Sequence, residues 1–132
     1  MPGLDPHPLK HPRGHQAPSP AGAERWPYAL DLFDHGYLWE AHEVLEQVWK
    51  ELPQRTPERD LAQAIILAAA SLLKAHLGDD RSAKALCTRA VSLLLRVPPA
   101  TARAHGIDAL RLVADLERAL RGGAWPQLRP LS

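Results

Sequence analysis

Leu61–Leu73 reads LAQAIILAAASLL, and its reading decides the fold. Leu, Ile and Ala occupy almost every side of this segment when it is wound at 100° per residue, and a helix that is apolar all round is a buried one. It is shorter than the roughly 18 apolar residues a bilayer span needs, so it is read as the central helix of a soluble protein. Thr56 and Pro57 supply an N-cap and a first helical residue, and Gly78 closes the segment, which places the central helix at about 57–77. Its many alanines let neighbouring helices approach closely.

Working outward, amphipathic segments flank this helix on both sides and strand-type alternation is missing. The sequence therefore predicts an all-α compact bundle of about five helices. The first begins near Pro27, with Trp26, Ala29, Leu30 and Phe33 on one face, and stops at Gly36. The second runs from Leu38 to Glu51 and ends before Pro53. The fourth spans Arg81 to Arg96 behind an Asp80 cap, with Ala83, Leu86, Cys87, Ala90, Leu93 and Leu94 inward. Pro98 and Pro99 end it, and ATARAHG is read as a connector. The fifth runs from an Asp108 cap to Leu120, with Ala109, Leu112, Val113, Leu116 and Leu120 inward and the surface pairs Arg111–Asp115 and Glu117–Arg121. Trp125 and Leu128 are expected to fold back as an apolar clasp. Residues 1–22 carry six of the thirteen prolines, which forbid a helix there, so 1–22 is read as a disordered tail and 23–132 as a single helical domain.

The chain has 132 residues, net charge +1 and one cysteine. An internal disulfide is excluded, the mixed charge gives no argument for nucleic acid or membrane, and a cytoplasmic location is the expectation. His7, His11 and His15 stand four apart in the proline-rich tail, where they are read as solvated. Cys87 falls on an apolar helix face and is read as an inert core thiol. No phosphate-binding glycine loop, nucleophile elbow or paired-cysteine metal motif is present.

Polar chemistry concentrates in Phe33–Lys50, FDHGYLWEAHEVLEQVWK. On the second helix, Leu38, Ala41, Val44, Leu45, Val48 and Trp49 form the core-facing arc, while His42, Glu43 and Glu46 lie at the seam between core and solvent beside Trp39. Glu40 lies in the first turn, where the helix dipole favours an anion. Like charges at i, i+3 cost roughly 0.2–0.5 kcal/mol per pair, so Glu43 and Glu46 are expected to have partners. Gln63, Leu67, Ser71 and Lys74 form one stripe on the third helix, and Gln63 and Lys74 are the candidates. From Asp31 to Glu51 there are six acidic residues and one basic, and from Arg81 to Arg103 five basic and none acidic, so these segments are expected to complement each other.

The candidate site is therefore Trp39, Glu40, His42, Glu43, Glu46, Gln63 and Lys74, and three readings compete for it. In the first, the motif is a structural latch in a domain that acts through structure or a protein partner. In the second, a metal-free pocket walled by Trp39 and Trp49 binds a small polar or cationic ligand. In the third, His42 and Glu46 are metal ligands one turn apart with Glu43 as base, as in a small metal-dependent or acid/base hydrolase. That set needs a third ligand from His35, His76 or His105. No catalytic residue or cofactor is assigned.

These residues carry a resemblance. Phe33-Asp-His-Gly-Tyr-Leu-Trp39-Glu40-Ala-His42-Glu43-Val-Leu45-Glu46-Gln-Val-Trp49-Lys50 is similar to the aromatic-Glu-x-His-Glu-x-Leu-Glu-x-x-Trp signature of the domain of unknown function 309 family, small all-helical proteins. Gln63 to Lys74, followed by Gly78-Asp79 and Ala83, resembles the family's second motif less closely. Leu67 stands where the family typically has Gln, Asp79 where it has Asn, and Ser82 where it has Gly. The resemblance spans roughly Ala29 to Leu94 and implies a compact helical bundle. It implies no reaction.

Overall fold

The computed structural model describes residues 24–126 and 128, and these form six helices: α1 Arg25–Asp34, α2 Leu38–Glu51, α3 Pro57–His76, α4 Asp80–Arg96, α5 Pro99–Ala104 and α6 Ala109–Leu120. The tail expected over 1–22 lies outside the described residues.

The long apolar segment is the central helix. α3 packs against α2, α4, α5 and α6, and Leu61, Ala62, Ala64, Ile65, Ala68 and Ala69 have no exposed surface. Small side chains on successive turns give the neighbouring helices a close seat, and interleaved Leu and Ile supply the apolar area, about 1.5–3 kcal/mol for each fully buried side chain. α1 covers α2, and α6 covers α4. All six helices feed one buried apolar cluster that runs from Ala29 to Leu128.

The helix ends follow their local chemistry. The Thr56 hydroxyl accepts from Arg59 N at 3.3 Å and donates to Pro53 O at 2.8 Å, so α3 starts where a cap and a proline coincide. Gly36 closes α1 at φ 85°. Its own N–H reaches Phe33 O, and Tyr37 N reaches Leu32 O at 2.9 Å, the paired bonds of a glycine-ended helix. Asp108 Oδ1 accepts from Arg111 N at 3.1 Å, as expected for the last helix.

Three expectations are corrected. α4 begins one residue early because Asp79, not Asp80, is the cap: its Oδ1 accepts from Ser82 N at 3.1 Å. The connector after Pro98 is the short helix α5, with Pro99 at its first position and Ala102 fully buried. Of the two pairs expected on α6, Arg111–Asp115 forms at 3.6 Å. Asp115 also takes Arg118 at 3.1 Å, while Glu117 has no ion pair among the described residues. The clasp is present. Leu128 is buried and its N–H donates to Asp34 Oδ1 at 2.6 Å, and Trp125 meets His76 edge-on.

Candidate functional site

α2 places its residues as its periodicity requires. Leu38, Ala41, Val44, Leu45 and Val48 are buried, and the polar residues emerge along the opposite flank. Trp39 is left 40% exposed, and its ring lies over the His42 imidazole with centroids 5.5 Å apart and planes 23° off parallel. His42 Nδ1 faces Glu46 Oε1 at 3.6 Å. That separation exceeds a hydrogen bond, and Nδ1 is buried without a hydrogen-bond partner. The two groups approach each other across one helix turn.

Glu43 is exposed and Glu46 half-exposed. Among the described residues Glu43 makes no hydrogen bond or ion pair, so the expected latch has no bond from Glu43 to rest on. Glu40 is half-buried and is not without a partner.

The structure unites Trp39, His42, Glu43 and Glu46 on one helix flank, and among the described residues Gln63 and Lys74 make no hydrogen bond or ion pair to them. Lys74 is exposed near the C-terminus of α3 and acts on Asp79, whose carboxyl lies below its ordinary range. The causes there are hydrogen bonds from the Ser82 backbone and side chain first, with the Lys74 charge adding a little. Gln63 lines a cleft near the start of α3. Trp39 and Trp49, expected to wall one pocket, are ten residues apart on one helix, about 15 Å along its axis. Trp49 instead lies under the Arg59 guanidinium, 4.0 Å from its ring centre.

The histidines that would complete a metal set are engaged elsewhere. His35 Nδ1 contacts Asp31 O at 2.8 Å, His76 meets Trp125, and His105 meets Trp26 and Glu58. Among the described residues no group of three His, Cys, Asp or Glu side chains converges as a metal site would need. The expected pairing of the acidic 31–51 segment with the basic 81–103 segment is also redirected. Glu51 pairs with Arg25 of α1, and Arg96 of α4 goes to Asp60 of α3 at 3.3 Å.

Two groupings escaped the sequence. Trp26, Glu58 and His105 come from α1, α3 and the end of α5. Trp26 stacks on the imidazole at 4.2 Å and Glu58 Oε2 lies 2.9 Å from Nε2. The second is a set of arginines around the α2–α3 loop. The first joins residues far apart in the chain, and the second brings Arg96 of α4 to Arg55 and Arg59, so no local spacing announces either as a whole. Cys87 is buried, and burial first, then the nearby Glu117, pushes its thiol pKa up, as an inert core thiol requires.

Residues 26–86 match the model of the family Domain of unknown function (DUF309), the family that the Phe33–Lys50 motif resembles. The matched span holds α1 to α3 and the opening of α4, including the whole Phe33–Lys50 motif, and leaves α5 and α6 outside it. No curated protein and no solved structure matches the chain.

Proposed function

We propose that this chain, which matches the domain of unknown function 309 family over residues 26–86, is a non-enzymatic interaction domain whose α2 flank receives a cationic group, an amine or guanidinium, from a protein partner. The observation that carries the reading is the exposed Trp39 ring set beside two carboxylates, Glu43 and Glu46, with no lysine or arginine paired to either among the described residues. An indole face and a carboxylate attract the same charge. A cation over an exposed aromatic face gains about 0.5–1 kcal/mol, and more once desolvated. The buried arc of α2 holds this flank rigid, so little order is lost on binding.

A tetra-arginine peptide tests the reading. Titrated into the full chain, it is expected to shift the amide resonances of Trp39, Glu43 and Glu46 saturably and to lose affinity with added salt. Trp39→Ala and the double change Glu43→Gln, Glu46→Gln should each abolish the shifts while leaving the melting temperature within about 2 °C, as surface changes do. Saturable binding that survives both variants would refute the proposal.

The contact of His42 with Glu46 favours a second reading, acid/base catalysis with Glu46 orienting the imidazole. In a hydrolase screen of ester and phosphoester substrates, that reading requires a turnover that His42→Ala and Glu46→Gln both remove.

A further inference from the structure

At the other end of α2 from Trp39, the α2–α3 loop, the first turns of α3 and the last turn of α4 enclose a cleft of about 570 Å³. Arg55, Arg59 and Arg96 line it together with Thr56, Asp60 and Gln63.

The charges around this cleft do not balance locally. Each nearby carboxylate is already engaged: Glu51 with Arg25, Glu58 with His105, and Asp60 with Arg96. Among the described residues two guanidinium groups are left without a carboxylate, Arg55 and Arg59. Arg59 is held in place, with Trp49 beneath its plane and Nη1 donating to Leu52 O at 2.9 Å, and it keeps further N–H donors of its fork. Arg55 has no hydrogen bond or ion pair among the described residues, and its backbone stands at φ 62°. Thr56 adds no donor, because its hydroxyl proton goes to Pro53 O. The half-buried Gln63 amide offers both a donor and an acceptor.

We infer that this cleft binds a soluble small molecule carrying a phosphate monoester. Two unneutralised guanidinium groups match a dianion in charge, and their planar forks match phosphate oxygens in geometry. The volume exceeds what an inorganic ion fills and lies in the range of clefts that hold small organic ligands, so the rest of the ligand is a polar body that Gln63 can bond. The site goes beyond the α2 flank and does not depend on it.

Calorimetric titration of the full chain with glucose 6-phosphate is the test, with glucose and with sodium sulfate at matched ionic strength as controls. Saturable binding of glucose 6-phosphate with a Kd below about 1 mM is expected, at least tenfold tighter than sulfate, and no heat from glucose. Arg55→Asn keeps a residue that tolerates left-handed backbone, so the fold is retained, and affinity should fall at least tenfold. Arg59→Gln should have an equal or larger effect. Equal binding of sulfate, unchanged affinity in Arg55→Asn, or no saturable binding of glucose 6-phosphate would each overturn the inference. So would binding confined to vesicles containing phosphatidic acid, which carry the same phosphate monoester on a membrane surface.

Discussion

Ser71 has no exposed surface, in a helix otherwise buried through Leu, Ile and Ala, and its hydroxyl donates to Ala83 O at 2.7 Å. That bond ties α3 to the first turn of α4. Ser71→Ala is expected to lower the unfolding free energy by about 1 kcal/mol, read from the urea midpoint at constant slope, because Ala83 O keeps a helical donor and no bare polar group results. Helical projection places Ser71 on a stripe with Gln63, Leu67 and Lys74, and that stripe is real. Which neighbour the stripe meets is not contained in an angle about the helix's own axis, and the serine faces α4 where α2 was expected. The same limit explains Glu43. Projection puts it at the seam, and only the packing of α1 and α3 against α2 decides that the seam is open there. Cys87, by contrast, was readable from the sequence, since its whole environment is the apolar stripe of its own helix.

Among the elements, the α4 start shows how a single carboxylate sets a boundary. Asp79 caps the helix through Ser82, and those bonds hold its carboxyl pKa below the ordinary range. A carboxylate whose pKa is lower folded than unfolded stabilises the fold at neutral pH. That contribution fades as acidity rises below about pH 4, where the unfolded chain protonates first. Asp79→Ala should therefore melt at a lower temperature than wild type at pH 7, with the gap narrowing toward zero in scans at pH 3 and below. Helix boundaries were legible at Gly36, Thr56, Gly78 and Asp108, because a side-chain cap or a glycine stop is a contact within one turn. α5 was not legible. Six residues make too short a helix to stand on propensity alone, and its alanines, at 100, 102 and 104, alternate instead of following the helical period. It is held by the buried Ala102 and by His105 meeting Trp26 and Glu58, partners 47 to 79 positions away in the chain.

At the scale of the whole molecule, the fold class followed from one segment because an all-apolar helix too short for a bilayer can only be an axis with other helices around it. The candidate site was legible as a list and only partly as a place. Trp39, His42, Glu43 and Glu46 share one helix and had to be neighbours, whereas the joint role of Gln63 and Lys74 depended on packing that sequence does not state. The hydrogen bond from Leu128 N to Asp34 Oδ1 joins positions 94 apart in the chain, while the pairings along α1–α2, α2–α3 and α3–α4 are between consecutive helices. Contacts between consecutive helices close short loops and can form early, but one that spans almost the whole domain waits until the bundle is assembled. Its rupture should accordingly govern escape from the native state rather than arrival. In stopped-flow chevrons, Asp34→Ala is expected to steepen nothing and to leave the refolding limb in place while raising the unfolding rate several-fold. The tail clasp is then a brake on unfolding, which sets how long a folded molecule lasts.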